Sequence, residues 1–426
     1  MKSAIIFVLF KRGDFMAKTK EQKAAEKLAK QRQQILARQL EYNQQLALAL
    51  RELGIKKLRL ISMGNSIAAG YSILRTTKPL LLRNDSLKEI MKKAGVVVRT
   101  HHFARAQNNN DVDMHEDYFN DNIKESLVHK MNRLDYADTK ERSTSMGANG
   151  LTQELLDEYY PTEMAIDPGL KDLVYNSQPD LANIVVYNGA TGSFLDGVTR
   201  KGKLSHKLTY GVKRDIGGIA HTLDDILNNN RKNGADTQVY LCGVPNLLGV
   251  HISGIINRKL KKLAQKYPNV TYVDPVKAKM FNKKLTREGN ETPFTGVDIH
   301  YNEDEYREFN NNITKAIWYN YEINRIMIRL DRKMCKLSSV IEFNRPELHT
   351  SEYSADKKDM ILDIISRELS DVKSPFIKAQ ALKAFKKYMT EVYEYKYYYT
   401  GKDELKTALT ISEQVANREY KESRSK

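Results

Sequence analysis

Residues 18–53 contain neither proline nor glycine, and Leu28, Ile35, Leu36, Leu40, Leu46, Leu50 and Leu53 recur at mixed three- and four-residue spacings. That period predicts one long helix, and Gly54 is the residue type that closes one. Beyond it the period shortens. Apolar, β-branched runs at 58–63, 96–103, 182–188, 237–244 and 270–276 alternate with helical stretches such as SLKEIMKKAG, GLTQELLDEYY, IGGIAHTLDDILNNN and ISGIINRKLKKLAQKYPN. Strand and helix in alternation predict a parallel sheet flanked by helices. From about residue 336 the pattern is helical throughout, with helices expected at 355–370, 374–398 and 402–416.

Two segments interrupt this rhythm. Residues 104–145 are polar and too long for a simple connection, which suits a binding loop or surface insertion. The stretch YEYKYYYTG at 393–401 combines aromatic and basic residues. Tyrosines at helical spacing more often line a small core than stack on bases or sugars. The expected domains are therefore a basic helical extension (1–57), an α/β domain (58–335, with the 104–145 insertion) and a C-terminal helical region (336–426).

Composition changes the picture mainly through charge. The 426 residues hold 69 Lys+Arg and 53 Asp+Glu, a formal net charge of +16. Residues 1–57 have 13 basic against 5 acidic side chains, and residues 344–426 have 16 against 14. Half of the excess thus lies in the first seventh of the chain. Such a segment suits an anionic surface or partner, or is simply a solvated helix face. The apolar run Ala4 to Phe10 is too short to span a bilayer and ends in Lys11-Arg12 rather than small residues. Residues 1–15 are expected to be an upstream extension absent from the mature chain, with Met16 the more natural start, and no transmembrane segment is expected elsewhere. Two cysteines, Cys242 and Cys335, exclude a disulfide scaffold and a multi-cysteine zinc site. They favour a cytoplasmic setting. No His/Cys/Asp spacing suggests a metal, and no cofactor is expected.

In an open parallel sheet ligands bind beyond the carboxyl ends of the strands. Gly64-Asn65-Ser66 with Gly70 follows the first strand and presents a serine on a glycine-flanked turn. Asn188-Gly189-Ala190-Thr191-Gly192 follows the third, a small-residue loop whose backbone N–H groups a ligand could approach. After the fifth come Asp298-Ile299-His300-Tyr301-Asn302, with Asn302 and Glu305 spaced as a capping box for the next helix. Serine, histidine and carboxylate on one rim are the groups of nucleophilic acyl transfer. His101 and His102 lie on the second strand and suit packing, while His251 reads as a loop residue.

These blocks resemble those of the SGNH (GDSL-type) hydrolases over roughly residues 58–330. Gly64-Asn65-Ser66 is similar to the family's first block, Gly147-Ala148-Asn149-Gly150 to its second and Asp298-Ile299-His300 to its last. The resemblance implies a three-layer α/β sandwich around a five-stranded parallel sheet, of flavodoxin-like type. The helical ends have no counterpart in the minimal fold. It further implies Ser66 as nucleophile, His300 as base and Asp298 as its partner. The oxyanion donors would be the backbone N–H groups of Ser66 and Gly150. Two positions depart from the family pattern. Thr191 stands where the third block has asparagine, so the Thr191 hydroxyl or Asn188 would complete the oxyanion hole. Val297 stands three residues before the histidine, so Asp298 or a backbone carbonyl would orient His300. The expected activity is hydrolysis of an acyl ester on a small molecule, carbohydrate or lipid. The alternative is a catalytically lapsed SGNH-like scaffold that binds an anionic partner through its helical ends.

Overall fold

The computed structural model describes residues 20–64, 67, 80–104, 180–188, 237–245, 250–276 and 301–425, together with 216–217, 219–220, 223–224 and 227. Helix α1 (Lys20–Glu52) precedes β1 (Lys57–Gly64), α2 (Leu87–Lys93), β2 (Val97–Ala104), β3 (Leu181–Asn188) and β4 (Thr237–Cys242). Helix α3 (Val250–Ala264), β5 (Val270–Val273), α4 (Glu303–Asn344), α5 (Ser354–Glu368), α6 (Pro375–Lys396) and α7 (Lys402–Ser425) follow among the described residues. His251 lies in the first turn of α3 rather than in a loop, and α7 continues past the expected end at 416 to Ser425.

Glycine ends both helices that feed the edge of the sheet. After α1 the Gly54 N–H donates to Arg51 and the Ile55 N–H to Leu50, with Gly54 at φ +75. After α2 the same pair of bonds joins Gly95 to Lys92 and Val96 to Met91, with Gly95 at φ +79. This left-handed closure satisfies the last carbonyls of each helix and turns the chain directly into a strand.

The five strands form one parallel sheet in the order β2-β1-β3-β4-β5. The chain moves from β1 outward to β2 and then crosses back to β3, so strand order reverses at the β1/β3 boundary. All eight residues of β3 are buried, as in a strand covered on both faces. Helix cover on both faces is visible at β5. Asn320 of α4 donates to Thr271 Oγ1 at 2.7 Å and to Tyr240 OH at 3.0 Å. The Lys261 ammonium of α3 lies 4.9 Å from the centre of the Tyr272 ring. Successive strand residues point to opposite faces, so α4 and α3 cover opposite sides.

Helix α4 fixes the orientation of everything around it. Asn312 donates to the carbonyl of Asp274, just past the carboxyl end of β5, whereas Asn320, two turns further on, reaches Thr271. The helix therefore starts at the carboxyl edge of the sheet and descends toward the amino edge. Helix α1 lies parallel to it. Arg32 pairs with Asp304 at 2.9 Å, Arg38 with Glu308 at 2.7 Å, and Asn311 donates to the Ile35 carbonyl at 2.9 Å. Lower down, Tyr42 stacks on Trp318 and Arg325 donates to Glu52 at 2.6 Å. The C-terminal half of α1 is thus a structural wall of the α/β unit, with Leu46, Ala47 and Leu50 buried in its core.

Two hydrophobic cores share α4. The first contains the strands, α1, α2 and α3, and takes Tyr306, Phe309, Ile313 and Ile317 from α4. The second takes Ile326, Leu330, Met334, Leu337 and Ile341 from the same helix and packs them against α5, α6 and α7. The boundary expected at 335/336 falls within α4, and the cores change over earlier, between Ile317 and Ile326. Trp318 touches both. At the seam Arg325, 6% exposed in its side chain, is held by Glu322 at 2.6 Å, Glu52 at 2.6 Å and Asp371 at 3.3 Å. In the tyrosine-rich stretch Tyr393 and Tyr397 are buried, and the Tyr397 hydroxyl donates to Asp331. Tyr395 and Tyr398 are exposed, so only part of the stretch lines a core.

Candidate active site

Gly64 closes β1 at φ +140, a conformation open essentially to glycine alone. It pairs with Asn188, the last residue of β3, and a Cβ built on Gly64 would overlap the Asn188 carbonyl. The backbones of β1 and β3 therefore come as close as they can at the carboxyl edge, at the point where strand order reverses. Open α/β sheets bind ligands at that crevice. Asn188 itself is fully buried.

The end of α4 at the same edge is built with equal care. Asn302 caps the helix, its side chain accepting from the Glu305 N–H at 2.9 Å while Glu305 accepts from the Asn302 N–H at 2.8 Å. The capping box expected from sequence is present. Glu303, Asp304 and Glu305 place negative charge in the first turn, where the helix dipole favours it. Tyr301, just before the cap, is fully buried, its ring edge-on to Tyr306 at 5.3 Å and tilted against Phe309 at 5.5 Å.

Arg83 locks this first turn to the segment following β1. Its side chain is fully buried, with the guanidinium 4.3 Å from the centre of the Tyr306 ring and ion-paired to Glu303. Burial pushes its pKa below the ordinary arginine value. Beneath it lies a set of buried amides. Asn43 and Asn84 exchange hydrogen bonds at 2.7 and 2.9 Å, Asn43 also donates to Ser86, and Asn84 donates to Thr314 at 3.2 Å. Asn310 donates to the Leu80 carbonyl and Gln39 to that of Arg83 at 3.4 Å. Paired in this way, the polar groups cost little to bury and fix α1, the 80–86 segment and α4 in one arrangement.

Of the residues expected to act, Asn188 is the one described; Ser66, Gly150, Thr191, Asp298 and His300 lie outside the described residues, as do 105–145 of the insertion. The side chains of His101 and His102 lie outside them too, although their backbone belongs to β2. What the described residues bring to one edge are the flanks: Gly64, Asn188 and the Tyr301-Asn302 pair. Sequence reading missed Arg83 and the amide cluster. The signal was there in Asn310-Asn311-Asn312, since three asparagines in a helix interior disfavour the helix unless their side chains find partners. Among the described residues no group of three His, Cys, Asp or Glu could hold a metal ion, and no helix is long and apolar enough to cross a membrane. No protein-family model matches the chain, and no curated protein matches it significantly.

Proposed function

We propose that the chain is a serine hydrolase of the SGNH type, a three-layer sandwich that cleaves an acyl ester through an acyl-enzyme. The observation that carries this reading is the close approach of Gly64 to Asn188 at the β1/β3 reversal. Ser66 comes two residues after Gly64, and His300 two residues before the Asn302 cap. Ser66 Oγ attacks the acyl carbonyl carbon while His300 takes its proton. Backbone N–H groups of Ser66 and Gly150, with Thr191 or Asn188, hold the oxyanion of the tetrahedral intermediate. The intermediate collapses as His300 returns the proton to the departing alcohol. Water then attacks the acyl-enzyme with His300 again as base, releasing the carboxylic acid and free Ser66. Asp298 or a backbone carbonyl orients the imidazole.

A fluorophosphonate probe tests this directly. Covalent labelling of the full chain is expected and should vanish in Ser66→Ala. Labelling unchanged by that substitution would overturn the assignment. The second reading, a lapsed scaffold, is favoured by the full burial of the Asn188 side chain, since an oxyanion donor has to be reached by the substrate. Absence of labelling and of turnover across a panel of esters would select it.

A further inference from the structure

At the edge of the sheet opposite the rim, the seam between the two cores holds a cavity of about 420 Å³. That volume suits a small organic molecule. Its walls are Leu53 and Ile55 from the turn between α1 and β1, Tyr321, Met327 and Ile328 from α4, and Tyr388 from α6. Ile55 and Tyr321 pack on the first core, Met327 and Tyr388 on the second. Most of what an occupant meets here is apolar or aromatic. Asn324 also lines the cavity and is exposed to water.

The polar chemistry lies at Asp331, the one charged residue of the lining. Its Oδ1 accepts from the Tyr397 hydroxyl, from Lys396 at 3.1 Å and, weakly, from Cys335 Sγ at 4.0 Å. Among the described residues its Oδ2 accepts from Lys396 alone, at 3.3 Å. Each carboxylate oxygen has about two lone-pair sites, so Oδ2 can take another donor. Lys396 Nζ also donates to the Tyr388 hydroxyl oxygen, at 2.6 Å. The Tyr388 proton must then point elsewhere, and no described residue accepts it. Asp331 Oδ2 and the Tyr388 hydroxyl share one lysine nitrogen, so they are at most about 6 Å apart. Two hydrogen bonds to a single oxygen atom span that gap.

Charge narrows the class of occupant. Hydrogen bonds to Tyr388 and Asp331 raise the Lys396 pKa, so the ammonium stays charged and balances the Asp331 carboxylate. A carboxylate ligand would meet Asp331, and an ammonium ligand would meet Lys396. A neutral group meets neither penalty. One hydroxyl supplies both the donor that Oδ2 can accept and the acceptor that Tyr388 can reach.

We infer that this cavity binds a neutral, largely apolar molecule through a terminal hydroxyl, held between Asp331 and Tyr388. The site lies at the edge away from Gly64 and Asn188 and stands independently of the hydrolase reading. Because its walls come from both cores, the occupant ties them together. Calorimetric titration of the full chain with 1-octanol and with 4-propylphenol tests this, the tighter of the two showing whether a chain or a ring fits. Octanoate, octylammonium and 4-propylanisole, which lacks the hydroxyl proton, are the controls. Each control should bind about tenfold or more weakly than its hydroxyl counterpart. Tyr388→Phe keeps the ring and should weaken the hydroxyl ligands by about tenfold, leaving 4-propylanisole little changed. Ile328→Trp, at a partly exposed position, should fill the cavity and abolish binding of all of them. Saturating ligand should also raise the urea midpoint of the wild-type chain and leave that of Ile328→Trp unmoved.

Binding of octanoate or octylammonium tighter than that of 1-octanol would overturn the inference. So would hydroxyl binding that survives both substitutions, or no binding of either hydroxyl probe up to its solubility limit.

Discussion

In the sheet core, Lys57 of β1 pairs with Leu181 of β3, and α1 packs along α4 through partners some 270 residues apart. In the helical core, α5, α6 and α7 follow one another with short turns; α5 and α6 both pack on α7 and on α4, through pairs such as Arg329–Glu368, 39 residues apart, and Lys396–Asp331, 65 apart. The first arrangement closes only when distant parts of the chain have met; the second assembles from local pieces and is expected to form faster. The difference bears on function. The edge where Gly64, Asn188 and Asn302 gather exists only after the non-local contacts are complete. The helical core braces it from below, through the seam at Arg325.

Gly64→Ala tests the non-local side most severely. The added methyl has no space against the Asn188 backbone, and φ +140 strains any other residue. A loss of about 3 kcal/mol or more is expected, read as a lowered urea midpoint together with loss of fluorophosphonate labelling. Wild-type stability in this variant would mean that the two strands are not in contact there.

Arg325→Ala tests the seam. Its removal leaves Glu322, 8% exposed in its side chain, without the guanidinium that balances it. Loss of one partner of a buried pair costs about 3–5 kcal/mol, and the lower end applies because Glu52 and Asp371 are well hydrated. Unfolding should separate into two transitions, since the variant uncouples the cores. One unchanged transition would show that the seam carries no load.

The smallest effect is on acid stability. Asp371 is partly desolvated, which raises its pKa, but hydrogen bonds and charge from Arg329 and Arg325 outweigh that and hold it below the usual carboxylate range. A depressed carboxyl stabilises the fold above its unfolded pKa of about 4, and the contribution disappears as pH falls through the lower folded value. Asp371→Asn should therefore flatten the fall of the urea midpoint below about pH 4 while leaving the rim unaffected. An identical acid profile in the variant would exclude this contribution.

Much of the architecture is legible in the sequence because periodicity reports directly on burial. Alternating runs of Leu, Ile and Val mark all five strands to within a few residues. Gly54, Gly95 and the Asn302–Glu305 pair mark turns and caps whose bonds are local. The direction of α1 is not legible, since it depends on Arg32 finding Asp304 and Asn311 finding Ile35 across most of the chain. Nor is the change of core inside α4, because a helix keeps its period when the partner beneath it changes. At the candidate site, the residue types at 64–66, 188–192 and 298–302 can be read. The need for glycine at Gly64 appears only when β3 lies beside it.

The shared helix also governs how the protein could be divided. At 42 residues α4 is about 63 Å long, and the cores meet within it rather than at a loop. A truncation that keeps the sheet and drops the last three helices would leave Ile326, Leu330 and Met334 open to water on a continuous rod. One that keeps only the C-terminal helices would lose the first half of that rod. No cut between 303 and 344 yields a clean fragment, so the two halves are bound to be inherited, expressed and degraded together.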